Sequence, residues 1–343
     1  MRLLIVVPSQ DRATGNWVTA TRLQRGLTAR GHTVTVGETD GNPEKLRAAT
    51  VAAAPQLVLL LHAWRSGRPW LAAGSSIPCA VLLTGTDVNT GLHDPTQAPV
   101  IEKILHRAAA ILSQNHLSVA ELRRERPQMA DKIHYLPPGI TLGSAPYPLR
   151  ERLSSSPEEF LCLCPAGIRP VKGALELLAM CEPLLREGRR LRLAFCGPVL
   201  DEDYGARFLG AVAARPWATW LGIIPPAAMP AALRQADVIV SNAYSEGLPN
   251  VLVEALVLGR PVVARDIPGN AAVVADGVNG LLYRDEAGFC AAIRRLQDEP
   301  SLRAALAHPD PERFAPGREI DALEAICRNI LDGPAATAGS VLP

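Results

Sequence analysis

Short apolar runs that alternate with helix-length segments constrain the fold of this chain more than any other feature of its sequence. The runs Leu3–Val7 and Leu57–Leu61 are apolar at every position. Such runs are typical of strands that are buried on both faces of a parallel sheet. Segments long enough for helices, such as Val18–Arg30, separate the runs. This alternation predicts βαβ units in open, doubly wound α/β sheets.

The alternation is interrupted once. Residues 139–157 contain Gly143, Pro148 and the serine run Ser154–Ser156, a composition typical of a linker. Strand-like and helix-like segments then resume at Phe160–Cys164. We therefore predict two Rossmann-like domains that face a cleft. The predicted ranges are 1–142 for the first domain, 143–157 for the linker, 158–332 for the second domain and 333–343 for a flexible tail.

Composition excludes several classes of protein. The 35 Lys and Arg against 34 Asp and Glu give a net charge of +1, without the basic excess of nucleic-acid and anionic-membrane binders. No apolar stretch reaches the ~18 residues of a membrane span, and the opening MRLLIVVP is too short for a signal-peptide core. The seven cysteines are scattered and odd in number. We therefore expect a cytoplasmic protein with reduced core cysteines, no metal site, no cofactor and no nucleic-acid partner.

Two cations follow the first strand of the second domain. Arg169 and Lys172 lie in a loop that begins near Gly167 and precedes a helix predicted from Ala174. Two cations beside the positive end of a helix suit a diphosphate group. They could also stabilise the charge on a leaving nucleotide in place of a divalent metal ion. The alternative is a pair of ordinary surface cations.

Two carboxylates belong to the segment SEGLPNVLVE. Glu246 lies in the loop, next to Gly247 and Leu248, and Glu254 lies one to two turns into the following helix. Carboxylates accept hydrogen bonds from hydroxyl groups, so the pair could bind a sugar and a ribose. Glu254 is flanked by apolar residues, where a carboxylate needs a partner. The alternative is that Glu254 lies on an exposed helix surface.

A further pair of polar residues follows the next buried strand. Gly269 permits close approach of a ligand to the backbone, and we predict that Asn270 opens a helix. In the first domain, Gly15 and Asn16 precede a helix and could approach a phosphate or a sugar. The alternative for each pair is an ordinary turn.

The third and fourth strands of the first domain end in polar groups. His62 is followed by Arg65 and Arg68, which suits the binding of a hydroxyl group or an anion. Thr86 and Asp87 follow the fourth strand, where Asp87 could orient an acceptor hydroxyl or pair with His62. The alternatives are a structural histidine with two solvated arginines, and an Asx turn at Asp87.

These motifs carry a resemblance that covers nearly the whole chain. GIRPVKG and SEGLPNVLVEAL resemble the donor half of the retaining glycosyltransferases of family 4, which have a GT-B fold. The segments TGNWVTATRLQRGL, LLLHAWRSG, LTGTDVN and IPGNAAVVADGVNGLLY resemble two narrower groups. These are the glycosyltransferase 1 domain-containing protein 1 group and, more loosely, the selenosugar synthases of selenoneine biosynthesis.

The resemblance implies a role for each candidate residue. The catalytic candidates are Arg169, Lys172, Glu246 and His62, of which His62 would lie near the reacting carbon. The donor-binding candidates are Gly15, Asn16, Gly167, Arg169, Lys172, Glu246, Gly247, Leu248, Glu254, Gly269 and Asn270. The acceptor-binding candidates are Arg65, Arg68, Thr86 and Asp87. One departure, Pro268-Gly269-Asn270-Ala271 in place of the family's glycine pair and glutamate, leaves the donor sugar open.

The predicted function is therefore a metal-independent, retaining transfer of a sugar from a nucleoside diphosphate sugar, with a UDP-sugar as the expected donor, to a small acceptor. The first domain would bind the acceptor and the second the donor. One alternative is a selenosugar synthase that couples a UDP-sugar to selenophosphate. Another is a protein that binds a nucleotide sugar without catalysis, because a fold alone does not fix function. The sequence leaves open the sugar, the acceptor, the nucleotide base and the oligomeric state.

Overall fold

A computed structural model describes residues 1–9 and 15–333 of the chain. The predicted tail beyond Gly333 lies outside these residues. The chain divides into two compact units. Of the described residues, the first unit comprises 1–9, 19–139 and 316–333, and the second comprises 15–18 and 140–315.

The described residues form twelve strands and fifteen α-helices. The strands are β1 (Arg2–Pro8), β2 (Thr33–Thr39), β3 (Leu57–Leu61), β4 (Cys79–Leu83), β5 (Ala110–Ser113), β6 (Ile133–Tyr135), β7 (Phe160–Pro165), β8 (Leu191–Cys196), β9 (Ala218–Trp220), β10 (Val238–Ser241), β11 (Val262–Arg265) and β12 (Leu281–Tyr283). The helices are α1 (Gly15–Ala29), α2 (Pro43–Ala53), α3 (Gly67–Ala73), α4 (Thr86–Asn89), α5 (Ala98–Arg107), α6 (His116–Glu125), α7 (Leu149–Arg152), α8 (Ala174–Arg186), α9 (Glu202–Ala213), α10 (Met229–Gln235), α11 (Asn250–Val257), α12 (Pro268–Ala271), α13 (Glu286–Asp298), α14 (Pro300–Leu306) and α15 (Pro316–Asp332). Short 3₁₀ turns cover Gly91–His93, Pro127–Lys132 and Pro170–Lys172.

Each unit contains a parallel six-stranded sheet. The strand order is β2-β1-β3-β4-β5-β6 in the first unit and β12-β11-β10-β7-β8-β9 in the second. All five residues of β3 and of β4 are buried, because helices cover both faces of a parallel sheet. The strand order reverses next to β1 in the first sheet and next to β7 in the second. In such sheets the ligand-binding loops follow the carboxyl ends of the strands.

The two units confirm the α/β, doubly wound fold but differ from the predicted domain ranges. The predicted linker, 143–157, packs into the core of the second unit through buried Tyr147, Leu149 and Leu153. The last helix, α15, belongs to the first unit rather than to the second domain. These boundaries differ because apolar burial, and not Gly and Pro content, decides where a segment packs.

Helix α15 is fixed to the first unit by a buried ion pair. Arg22 of α1 donates hydrogen bonds from Nε and Nη2 to Glu319 at 2.7 and 2.9 Å, and Gln114 donates a third at 2.5 Å. Glu319 is fully buried. A carboxylate so far from water is stable only when it is paired and hydrogen-bonded, as this one is.

The cysteines lie where the sequence predicts. All seven are free and buried, and burial raises the pKa of the Cys164 thiol to about 12. In residues 1–9 and 15–333, no helix combines the length and the apolar character needed to cross a membrane.

Candidate active site

The loop after β7 presents two cations beside the start of a helix. Arg169 has an extended backbone, and the 3₁₀ turn Pro170–Lys172 follows it. Gly173 ends that turn with φ +59°, a conformation that favours glycine, and α8 begins at Ala174. Gly167 lies half-buried in the same loop. Arg169 and Lys172 thus lie in the loop that leads into the first turn of a 13-residue helix, where the positive end of the helix dipole favours an anion. In that turn the Leu175 N–H donates to the Tyr204 hydroxyl at 2.9 Å.

Lys172 and Glu246 form an ion pair through Nζ and Oε1. Their side chains are 14% and 19% exposed. Glu246 belongs to the loop after β10, so the pair joins the two polar loops that follow neighbouring strands. The sequence predicts both residues as site residues but not their contact. The carboxylate orients the ammonium group and keeps a charge-assisted hydrogen bond in a mostly desolvated position.

Glu254 lies on α11, eight residues after Glu246, and is half-buried. Its neighbours Val253 and Ala255 are fully buried, so Glu254 does not lie on an exposed helix surface. Gly247 and Leu248, between the two glutamates, are also half-buried.

Gly15 and Asn16 form the first residues of α1 and are grouped with the second unit. A Cβ atom on Gly15 would lie 3.7 Å from Nδ2 of Asn250, the first residue of α11. Gly15 is exposed and Asn16 is half-buried. Gly15 therefore lies next to the N-terminus of α11, the helix that carries Glu254.

Gly269 packs against the loop that carries Glu246. A Cβ atom at Gly269 would lie 2.5 Å from the Glu246 carbonyl oxygen, so only glycine fits there. Asn270 does not open α12 as predicted, because the helix starts at Pro268 and Asn270 is its third residue. Its side chain is fully buried, and Nδ2 donates to the Arg265 carbonyl at 2.8 Å. Among the described residues, its Oδ1 accepts no hydrogen bond.

One buried residue of this region escapes the sequence reasoning. Asn242 follows β10 directly and is 1% exposed. Its Nδ2 donates to the Gly173 carbonyl at 2.7 Å, and its Oδ1 accepts from Arg265 and from the Tyr283 hydroxyl. The rule that polar residues after buried strands form sites could have found Asn242, but nothing in the sequence names its partners.

In the first unit, His62 has an unusual backbone conformation at the end of β3. Its φ of +76° is rare for a residue other than glycine and marks local strain. The side chain is 4% exposed, and Nδ1 accepts a hydrogen bond from the Arg65 N–H at 3.2 Å. Nδ1 is therefore unprotonated, so Nε2 carries the proton and donates to Thr86 Oγ1 at 3.1 Å. Burial lowers the pKa of His62 and favours the neutral ring; the charge of Asp87 opposes this shift and that of Arg65 adds to it.

The prediction that Asp87 contacts an acceptor is corrected by its burial. Its carboxylate is fully buried and accepts hydrogen bonds from the backbone N–H groups of Ala63, Thr84 and Gly85 at 2.8 to 3.0 Å. Its Oδ2 lies 3.9 Å from Nδ1 of His62, so the predicted proximity to His62 is observed. Asp87 ties the loop after β4 to the turn that carries His62, and it has no surface to offer a ligand.

The two arginines after His62 are exposed, whereas Thr86 is half-buried. The guanidinium of Arg68 lies 5.3 Å from the centre of the Trp64 ring, which is a cation–π distance. Arg65 lies close enough to His62 to influence its pKa. The first unit therefore carries two exposed cations within six residues of His62, whose Nε2–H is paired with the Thr86 hydroxyl.

The fold and the site define a GT-B protein, in which each Rossmann-like unit carries its polar loops at the carboxyl ends of its strands. Sucrose-phosphate synthase from Thermosynechococcus elongatus matches with a TM-score of 0.79 at 18% identity, over 96% of this chain and 99% of that one. Anabaena HepE in complex with UDP-glucose matches with a TM-score of 0.78 at 17% identity, over 95% and 99%. At such identities the likeness shows the fold alone.

Residues 159–299 match the family described as glycosyl transferases group 1. A Xenopus tropicalis protein named glycosyltransferase 1 domain-containing protein 1 is 28% identical over 84% of this chain and 86% of its own length. The D-inositol 3-phosphate glycosyltransferase of Streptomyces scabiei is 29% identical over 71% of this chain, which spans 61% of that relative. The second unit therefore contains a segment, residues 159–299, that is similar to glycosyl transferases group 1, and the relatives that match most of the chain carry glycosyltransferase names.

Proposed function

We propose that this enzyme transfers a sugar from a nucleoside diphosphate sugar, with a UDP-sugar as the donor, to a small acceptor. The observation that carries the proposal is the Lys172–Glu246 ion pair beside the first turn of α8, with Arg169 in the same loop. Two cations and a helix N-terminus match the charge of a diphosphate. The group 1 family match covers all three residues.

Stabilisation of the leaving group is the main chemical task of this site. As the bond between the sugar C1 and the diphosphate oxygen breaks, the electron pair stays on that oxygen, and negative charge develops there. Lys172 and Arg169, fixed before the reaction begins, stabilise this charge. We propose that they do so without a metal ion, because they supply the positive charge that a metal would supply.

We further propose that the configuration at C1 is retained, as in glycosyltransferase family 4. The acceptor atom then bonds to C1 on the face that the diphosphate leaves, and the acceptor proton passes to the departing phosphate oxygen. No protein base is required for this balance of atoms and protons. Glu254 would accept hydrogen bonds from the ribose hydroxyls, and Glu246 would contact the sugar.

The choice of UDP rests on similar proteins. The solved structures of Anabaena HepE include complexes with UDP and with UDP-glucose, and that fold matches this chain over 95% of its length. The donor sugar stays open because Pro268-Gly269-Asn270-Ala271 departs from the family pattern. Gly269, which packs against the Glu246 loop, and Asn270 would lie beside the sugar and the diphosphate.

One observation favours an anionic acceptor, as a selenosugar synthase that uses selenophosphate would require. Arg65 and Arg68 are exposed and follow His62 by three and six residues, and His62 in turn is hydrogen-bonded to the Thr86 hydroxyl. Supply of selenophosphate and a UDP-sugar should then give a sugar with covalently bound selenium, detected by mass spectrometry. Arg65→Ala should raise the KM for the acceptor, and an unchanged KM would contradict this assignment.

A thermal-shift panel with UDP, GDP, ADP and the common sugar conjugates of these nucleotides, run with Mg²⁺ and again with EDTA, tests the donor class first. A ligand at a hundredfold excess over its Kd stabilises the folded state by about 2.7 kcal/mol. We expect a selective rise in Tm with the uridine ligands, lost in Lys172→Ala and kept in Lys103→Ala, which removes an exposed lysine of the first unit. No shift with any nucleotide would overturn the donor assignment, and a shift abolished by EDTA would overturn metal independence.

A second measurement is needed to show catalysis, because a protein that only binds nucleotide sugars would also give a thermal shift. The release of UDP from a UDP-sugar, in the presence of candidate acceptors, distinguishes an enzyme from a protein that only binds nucleotide sugars. Tight, Lys172-dependent UDP binding without UDP release from any donor and acceptor pair would favour the non-catalytic alternative.

A further inference from the structure

The turn that carries Lys172 is tethered on both sides of the lysine by the loop after β10. The Val171 carbonyl accepts a hydrogen bond from the Tyr244 N–H at 2.9 Å. The Gly173 carbonyl accepts one from Asn242 Nδ2 at 2.7 Å, in addition to the Leu177 N–H at 3.0 Å that begins α8. A carbonyl oxygen can accept two hydrogen bonds, so Asn242 uses the remaining lone pair. The residues on either side of Lys172 are therefore held by the loop that also supplies Glu246.

The hydrogen-bond partners of the Asn242 side-chain amide allow only one orientation of its oxygen and nitrogen. Its Oδ1 accepts from Arg265 Nη2 at 2.8 Å, from Arg265 Nε at 3.2 Å and from the Tyr283 hydroxyl at 2.7 Å. Arg265 has donors only, so the amide oxygen must face it, and Nδ2 must face the Gly173 carbonyl. Arg265 is fixed in turn by the Arg284 carbonyl at 3.1 Å and by the Tyr244 ring, whose centre lies 4.5 Å from its guanidinium carbon.

This arrangement is buried and tightly fitted. Asn242 is 1% and Tyr283 2% exposed. A Cβ atom on Gly173 would lie 2.7 Å from Asn242 Nδ2 and 2.7 Å from the Asn242 carbonyl oxygen. No side chain larger than hydrogen fits between the two segments, and hydrogen bonds in such surroundings fix geometry strongly.

We infer that Asn242 is a positioning residue for the diphosphate site, acting through Lys172, with Arg265 and Tyr283 fixing its amide. The inference rests on the proposed function, because it assigns the Lys172 ammonium to the donor diphosphate. Asn242 itself contacts no ligand in this account. It sets the position of the Gly173 carbonyl, and so the direction in which the Lys172 side chain leaves the backbone.

The experiment measures the Kd for UDP by calorimetry in Asn242→Ala, alone and combined with Lys172→Ala. Asn242→Ala removes the donor to Gly173 without adding a charge, and we expect UDP binding to weaken about tenfold. In the Lys172→Ala background the same change should cost less than about twofold, because the residue through which Asn242 acts is gone. A general structural role would weaken binding by the same factor in both backgrounds.

Asn279→Ala is the matched control. Asn279 also bridges two backbone groups of the second unit, accepting from the Ala275 N–H at 2.8 Å and donating to the Val273 carbonyl at 3.1 Å. It should lower Tm and leave the Kd for UDP within about twofold of wild type. Tyr283→Phe removes one donor to Asn242 Oδ1 and serves if Asn242→Ala does not fold. We expect it to weaken UDP binding about threefold, and only when Lys172 is present.

The outcomes separate the two proposals. If wild type does not bind UDP, or binds it as well without Lys172, the proposed function fails. If wild type binds UDP through Lys172, but Asn242→Ala binds like wild type or loses the same factor in the Lys172→Ala background, the positioning role of Asn242 is overturned.

Discussion

Lys172 and Glu246 are 74 residues apart in the sequence, and they form an ion pair at the carboxyl ends of two neighbouring strands. The two loops that carry them follow β7 and β10, which pair directly in the second sheet. The Lys172–Glu246 ion pair therefore lies at the turn that ends at Gly173 and leads into α8.

Loss of the Lys172 charge should slow the reaction more than it unfolds the protein. In Lys172→Met, which keeps the aliphatic stem, we expect kcat to fall about 10²- to 10³-fold, the typical cost of one fixed charge-stabilising donor. The measurement is the initial rate of UDP release with saturating donor. A variant within threefold of wild type would show that Lys172 does not stabilise the leaving group, and Lys103→Met is the control for loss of a surface lysine.

The folded protein should protonate His62 at a lower pH than a free histidine side chain. Burial lowers its pKa below 6.5, so below that pH the unfolded chain binds a proton that the folded chain resists. The neutral ring contributes its full stabilisation above pH 6.5. This stabilisation is lost as the pH falls from 6.5 through the lower pKa of the folded state. NMR titration of the labelled imidazole should give a midpoint below 6.5. Arg65→Gln should raise that midpoint, since it removes a nearby positive charge, and a lower midpoint in this variant would contradict the assignment.

Removing only one charge of the buried Arg22–Glu319 ion pair should strongly lower the free energy of unfolding. Glu319→Gln leaves a buried guanidinium without its counter-charge, so we expect a loss of about 3 to 5 kcal/mol in the free energy of unfolding. The double variant Arg22→Met with Glu319→Leu removes both charges and should lose less than the single variant. Urea denaturation measures both, and a double variant less stable than Glu319→Gln would contradict this reading.

Glu324 should stabilise α15 in a pH-dependent manner. Hydrogen bonds from Arg30 and Arg328 lower its pKa to about 2. A carboxylate with a lowered folded-state pKa stabilises the fold above its unfolded value of 4.5, and this stabilisation is lost as the pH falls towards 2. The difference in Tm between wild type and Glu324→Gln should therefore be largest at pH 7 and shrink towards pH 2.5.

Glu121→Gln is the control for that titration. Its carboxylate lies 3.6 Å from Arg124 on an exposed helix surface, where an ion pair contributes little. Its Tm should follow that of wild type across the same pH range. A gap for Glu324→Gln that is constant with pH would show that the Glu324 charge does not stabilise the fold.

Local pattern was enough for much of the fold. The apolar run Leu57–Leu61 coincides with β3 residue for residue, because a strand buried on both faces is apolar throughout. Short helices such as α3 and α14 were missed, since neither seven-residue segment shows a helical period. The linker was misplaced because its glycines and prolines resemble those of a flexible segment, whereas Tyr147 and Leu149 are core residues.

The sequence by itself determined the sheets, the loops that carry Arg169, Lys172 and Glu246, and the glycines that those loops require, because these depend on burial and backbone conformation over a few residues. Only the tertiary structure decided which groups meet. It pairs Lys172 with Glu246, brings the Asn242 amide to the Gly173 carbonyl and buries the Asp87 carboxylate. Each of these contacts joins segments distant along the chain, and their partners are fixed by strand order and packing rather than by local pattern.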